Sequence, residues 1–288
     1  MGYVSGSGDL ASGFFATMFN NPDSKKKVVE DVFNTTSQNY DKMNDITSLY
    51  LHRLWKADFA NFISIKNNCK ILDLASGSGD IAVLLLKKAL KQNKLISVKL
   101  TDYNQNMLNL ARQRLEGKEQ FTKAIKGNLA YCKKNSKLYS DNLINKLHSN
   151  TEFCTLDACK MEGVEDLSFD AITCSFGIRN FYDIEEALKQ IYNKLNHGGV
   201  FYCLEFSPPE DGCFKELYKI YSSKVMPVFA KKFASNPSDY DYLTNSIASF
   251  YKKDEFATKI KEAGFNVASH YSFLGGLVCV HYGKKCQN

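Results

Sequence analysis

The stretch Cys69-Lys-Ile-Leu-Asp-Leu-Ala-Ser-Gly-Ser-Gly79-Asp80 decides how this chain folds. Its first seven residues form a short apolar run closed by turn residues, the pattern of a buried strand. Ser76-Gly-Ser-Gly79 is a tight turn. From Asp80 to Leu90 the period becomes helical, with Ile81, Leu84, Leu85 and Lys88 three or four residues apart. A strand that turns on glycines straight into a helix is the repeating unit of a parallel sheet.

The alternation continues in both directions. Further strands are expected at Ser97–Leu100, ending on Asp102, at Thr151–Leu156, ending on Asp157, at Phe169–Ser175 and at Gly199–Phe206. Helices are expected at Gln105–Leu115, Ile184–Leu195 and Glu255–Ala263, the last capped by Gly264. A closing antiparallel hairpin spans Asn266–Phe273 and Leu277–Tyr282, around Gly275-Gly276. The expected fold is α/β and Rossmann-like, mostly parallel, with helices on both faces.

Upstream, residues 1–24 read as a flexible Gly/Ser-rich segment ahead of one domain, 25–288. Helices are expected at Lys25–Phe33 and Thr47–Ile65, the second with Leu51, Leu54, Trp55, Phe59 and Phe62 on one face. From 207 to 250 the alternation stops. Phe214, Leu217, Tyr218, Tyr221, Val225, Phe229 and Phe233 recur at helical spacing, with Pro227 as a kink. Core packing and a helical lid over an apolar substrate are the two readings of this insertion.

The composition narrows the class. At 288 residues with 44% apolar and 24% charged, the chain can build a sizeable core. No apolar run is long enough to span a bilayer. Only four of its 37 basic residues are arginine, which argues against nucleic-acid readout through guanidinium forks. Nine cysteines lie scattered without a CxxC pair, and the histidines lack ligand spacing, so reduced thiols and no metal are expected. Residues 113–150 carry eight basic and three acidic residues, so +5 of the net +6 lies there. A solvated insertion and a contact for an anionic membrane surface are the two readings.

In such a sheet, ligands bind beyond the carboxyl ends of the strands. Four groups should converge there: Asp73 with Gly77, Ser78, Gly79 and Asp80; Asp102; Asp157 with Ala158; and Ser175-Phe-Gly-Ile-Arg-Asn180. Gly77-x-Gly79-x-x-Ala82 also satisfies a dinucleotide fingerprint. Acids beside the glycine loop suit a cationic cofactor better than a pyrophosphate. S-adenosyl-L-methionine is such a cofactor, with Asp102 for the ribose hydroxyls and Asp157-Ala158 for the adenine.

Longer phrases carry a resemblance. They are Val32-Phe33, Tyr40-Asp-x-Met-Asn-Asp45, His52-Arg-x-Trp55-Lys56, Leu72-Asp-Leu-Ala-Ser-Gly-Ser-Gly-Asp80 and Ser175-Phe-Gly-Ile-Arg-Asn180, in that order. Leu195-x-x-Gly-Gly199, Leu204-Glu-Phe-Ser207, Tyr240-x-Tyr-Leu-x-x-Ser-Ile247 and Ala263-Gly-Phe265 follow. The chain resembles the UbiE-type ubiquinone/menaquinone-biosynthesis C-methyltransferases from about Ser12 to Lys285. The departures are the longer 113–150 stretch, Ser76 and Ser78 in the glycine loop, and His197 before Gly198-Gly199.

The resemblance implies a class I S-adenosylmethionine-dependent methyltransferase sheet and methyl transfer to a ring carbon of a polyprenylated methoxy-benzoquinol. Ionising a ring hydroxyl makes the ortho and para carbons nucleophilic, so the enzyme must stabilise a phenolate and exclude water. Arg179, at the end of the fourth strand, is the candidate for that charge, with Asn180 and Tyr40 as hydrogen-bonding partners. His52 reads as a packed helix residue more readily than as a base. A prenylated acceptor implies a peripheral enzyme at a membrane surface, in a mitochondrial setting the matrix face of the inner membrane. A homodimer and a quinone-biosynthesis complex are the implied protein partners. A demethylmenaquinol or other small-molecule methyltransferase, an NAD-dependent oxidoreductase and a non-catalytic subunit of a quinone-biosynthesis complex remain as alternatives, separated by cofactor binding and turnover.

Overall fold

A computed structural model of the chain describes residues 21–36, 45, 48, 50–126, 140–208, 216 and 238–287. Tyr40, residues 1–20 and most of 209–237 lie outside them. The expected sheet is present. Seven strands run in the order β3-β2-β1-β4-β5-β7-β6. They are β1 (Cys69–Leu74), β2 (Ile96–Asp102), β3 (Thr151–Thr155), β4 (Phe169–Ser175), β5 (Leu195–Phe206), β6 (Val267–Phe273) and β7 (Val278–Lys284). The first five are parallel; β7 runs antiparallel between β5 and β6. β1 and β4 are completely buried on their inner residues, which is why they read as apolar runs and do not alternate.

Helices α1 (Pro22–Thr36), α2 (Leu51–Phe62), α3 (Asp80–Lys91), α4 (Gln105–Leu115), α5 (Lys118–Lys126), α6 (Asp141–Ser149), α7 (Ile184–Lys194), α8 (Ser238–Ala248) and α9 (Lys253–Glu262) surround the sheet. Two cores form on its two faces. One gathers Phe59, Leu85, Leu86, Leu100 and Phe121, the other Leu72, Ile172, Ile191, Phe201 and Phe256.

Several expectations shift. The helix expected from Thr47 begins only at Leu51, because Tyr50 adopts φ +64°, which interrupts it. Leu54 and Phe62 do not share its buried face; they are 62% and 40% exposed, while Trp55 and Phe59 point inward. Lys88 is not part of an apolar stripe: its ammonium donates to the carbonyls of Ala60, Asn61 and Ile63 and so closes the C-terminus of α2. The basic stretch 113–150 is not simply solvated. It contains α5 and α6, which bury Phe121, Ile125, Ile144 and Leu147 at helical spacing and keep their lysines outside. Residues 127–139 lie outside the described part. Of the expected helical insertion, α8 is described, with Tyr242, Ser246 and Ile247 buried.

Candidate active site

The order of the strands reverses between β1 and β4, and a cleft opens beyond their carboxyl ends. The end of β1 contributes Leu74, Ala75 and Gly77; that of β2 contributes Thr101 to Asn104 and Met107. The loop after β3 adds Leu156 to Cys159, and the loop after β4 adds Ser175 to Gly177 and Asn180. α1 closes the side with Lys26, Val29 and Glu30.

Backbone geometry shapes this cleft. Gly77 has φ +56° and brings the loop against Met107, whose Cε would lie 3.4 Å from an added Cβ. Gly79 has φ +83°, and a Cβ there would meet Leu100 Cδ2 at 3.1 Å; that glycine lets α3 start close against β2. Ala75 and Phe176 both line the cleft at positive φ, +48° and +55°. Strained residues at the ends of β1 and β4 are a common mark of a ligand site.

Asp102 sits where expected. One carboxylate oxygen accepts the Gly77 N–H and the other the Asn104 N–H, each at 2.9 Å. Burial pushes its carboxyl up to about 6. Asp157 also lines the cleft: Oδ1 accepts the Cys159 N–H, and Oδ2 lies 3.4 Å from Lys26 Nζ and 3.2 Å from the Tyr182 hydroxyl. Ala158 and Ser175 join the lining. Asp73, Ser78 and Gly79 lie behind it. Asp73 is completely buried, takes the Thr173 hydroxyl at 2.6 Å, and among the described residues has no hydrogen-bond partner for Oδ2. Burial raises its carboxyl to about 7.

Asp80 has a different role from the one its position suggested. It is clasped by Lys56 at 2.8 Å and Arg114 at 2.7 Å, which together hold its carboxyl well below the usual range despite burial. It tethers α3 to α2 and α4, so its charge does not serve a cofactor. His52 lines neither this cleft nor its neighbour. Its Nδ1 meets Ser48 Oγ at 2.7 Å, and burial lowers it to about 4, so it stays neutral.

Arg179 and Asn180 are buried in a short helical turn, Ile178–Asn180. Arg179 donates from Nη1 to Glu205 Oε1 and to the Phe176 carbonyl, both at 2.7 Å. Glu205 was not singled out in the sequence, although it lies in the Leu204-Glu-Phe-Ser207 phrase. Asn180 Oδ1 accepts the Tyr242 hydroxyl at 2.7 Å, so α8 fixes the amide. Lys26 and Tyr182, also missed, hold Asp157 from two sides, and Lys26 lies 4.8 Å from the Tyr103 ring.

The family model described as the ubiE/COQ5 methyltransferase family matches residues 21–138 and 130–285. The chain belongs to this family. It is 38% identical over 262 residues to the ubiquinone/menaquinone biosynthesis C-methyltransferase UbiE of Rickettsia prowazekii, covering 91% of this chain and 94% of that one. With the UbiE of Rickettsia typhi it shares 38% over 270 residues, 93% and 97% of the two chains. Among solved structures, an S-adenosylmethionine-dependent methyltransferase from Thermotoga maritima superposes with TM-score 0.56 at 15% identity, over 89% of this chain and 99% of that one. Phosphoethanolamine N-methyltransferase 2 of Haemonchus contortus reaches 0.54 at 13%, over 90% and 60%. These show the shared class I methyltransferase fold.

The protein is therefore an S-adenosyl-L-methionine-dependent C-methyltransferase of quinone biosynthesis. Its cleft fits that cofactor. Asp102 has lone pairs left for two hydroxyls, the Ser175 Oγ in the lining is buried with no hydrogen-bond partner among the described residues, and Met107 and Leu156 offer apolar faces to a base. A cation and hydroxyl donors favour the ionised forms of Asp73 and Asp102, which are lifted to about 7 and about 6. Binding must then release protons. Cofactor affinity is expected to rise from pH 5 to about 7 and level off above it, with proton release in calorimetry across two buffers of unlike ionisation enthalpy.

Proposed function

We propose that the acceptor is a polyprenylated methoxy-benzoquinol and that the methyl goes to a ring carbon. The observation that supports this reading is the loop after β4, whose Arg179 and Asn180 stand side by side between the cofactor cleft and a second, open cavity. Bound S-adenosyl-L-methionine supplies an electrophilic methyl group on a positively charged sulfur. Asp102 and Asp157 hold and orient that cofactor. Asn180, with its oxygen engaged by Tyr242, presents its amide nitrogen as a donor to a ring oxygen. Arg179 raises the local positive potential that a phenolate needs, moderated by Glu205 beside it.

A long isoprenoid tail cannot leave a bilayer cheaply, so the enzyme works at a membrane surface. No helix among the described residues is long and apolar enough to cross one. The names of the relatives give both ubiquinone and menaquinone biosynthesis. Short-tailed 2-methoxy-benzoquinol and demethylnaphthoquinol, each kept reduced, therefore form the two arms of the test. A higher kcat/KM for the benzoquinol, with no reaction of its oxidised quinone, is the expected result. A preference for the naphthoquinol overturns the choice of ring, and turnover of neither overturns the acceptor class.

A further inference from the structure

The second cavity is lined by Lys25, Arg179, Tyr182, Asp183, Ser246 and Tyr251, among others. It adjoins the cofactor cleft, and Tyr182 lines both. Two neighbouring pairs divide between them. Lys26 and Asn180 face the cofactor cleft, whereas Lys25 and Arg179 face the second cavity. A bound ring between these walls would therefore meet Lys25 on α1 and Arg179 on the β4 loop.

Arg179 is poorly suited to take a proton or to carry a phenolate by itself. A guanidinium is protonated at every working pH. Its charge is also largely offset by Glu205, 2.7 Å away and completely buried. A lysine differs on both counts, because burial readily brings an ammonium towards neutral pH.

We propose that Lys25 is the proton acceptor for the ring hydroxyl of the quinol, resting on the acceptor class given above. Neutral Lys25 Nζ takes the hydroxyl proton and becomes an ammonium, leaving a phenolate. The ring carbon beside that oxygen forms the new bond to the methyl, and the methyl–sulfur bond breaks with its electron pair left on sulfur. The proton on the methylated carbon then departs to solvent, which restores the aromatic ring as a phenolate, and the Lys25 ammonium returns its proton to that oxygen, leaving the methylated quinol and a neutral Lys25. Protons, charge and electron pairs balance without an added oxidant or metal.

The surroundings of Lys25 support the role. Only 8% of it is exposed. Burial is the main cause that lowers its ammonium to about 8, against the opposing effect of Cys159; Arg179 lowers it further and Asp183 raises it. Glu185, Tyr182 and Tyr251 complete the titratable wall. A base near the working pH is the efficient choice for general-base catalysis.

The test compares wild type with Lys25→Arg, which keeps the charge, and Lys25→Met, which keeps the length. Wild-type kcat/KM for the short-tailed methoxy-benzoquinol should rise with pH to a plateau above about 8. Both variants should lose about 100-fold or more in kcat and lose that rise, while binding S-adenosyl-L-methionine as wild type does. A second readout needs no turnover. With the cofactor product S-adenosylhomocysteine bound, 2-prenyl-4-nitrophenol should ionise on wild type at a lower pH than in buffer, read by absorbance. Lys25→Met should remove most of that shift, leaving only the part that Arg179 supplies. Full activity in Lys25→Arg, or an unshifted nitrophenol on wild type, overturns the role of Lys25. Wild type that ionises the nitrophenol but methylates no quinol instead overturns the acceptor class.

Discussion

Replacing Glu205 with alanine is expected to destabilise the protein by about 3–5 kcal/mol, a fall in Tm of about 10 °C. Glu205 is completely buried at the end of β5, and its partner Arg179 is nearly so, at 7%. Glu205 accepts the Arg179 Nη1–H at 2.7 Å and the Phe206 N–H at 2.8 Å. Burial raises its carboxyl, and Arg179 opposes that shift. Removing the acid leaves a guanidinium in the interior with its charge uncompensated, and that penalty is the main part of the effect. The double variant Arg179→Met/Glu205→Leu should regain most of the lost stability while remaining inactive. Thermal unfolding of Arg179→Met, Glu205→Leu and the double variant, each against wild type, measures the coupling directly. Unchanged stability in Glu205→Ala would mean that the pair is not closed in solution.

Asp102→Ala is expected to weaken S-adenosyl-L-methionine binding by about 100- to 10,000-fold. Two hydrogen bonds from ligand hydroxyls to a carboxylate are worth about 1.5–3 kcal/mol each. The variant also releases the Gly77 and Asn104 N–H groups that Asp102 accepts, so the glycine loop loses its anchor on β2. Calorimetric titration checks the value. Asp80→Asn provides the contrast, because its partners are Lys56 and Arg114 and its loss should reduce stability far more than cofactor affinity. Equal loss of affinity in both would contradict the separate roles given to the two acids.

The sheet was legible because it rests on local signals. Apolar runs, the Ser76–Gly79 turn and the hairpin around Gly275-Gly276 each lie within a few residues. The positions of Asp102, Asp157 and Ser175 followed, since the ends of parallel strands meet at one edge. Side-chain partnerships did not follow. Lys56 and Arg114 reach Asp80 from 24 and 34 residues away, and Glu205 meets Arg179 only because β4 and β5 are neighbours. An acid beside a glycine loop looks the same in sequence whether it faces a ligand or two cations. The cover that α1 forms through Lys25 and Lys26 was equally invisible, since that helix lies far from the β3 and β4 loops in the chain. Tyr40 lies outside the described residues.

A ring carbon of the proposed quinol, and no oxygen or nitrogen, is expected to receive the methyl group. S-adenosyl-L-methionine carrying a ¹³C methyl, incubated with the enzyme and reduced short-tailed methoxy-benzoquinol, tests it most directly by carbon NMR of the product. The predicted result is a single labelled methyl bonded to the ring carbon. Label in a new methoxy group, or no labelled quinol from enzyme that binds the cofactor tightly, would contradict it.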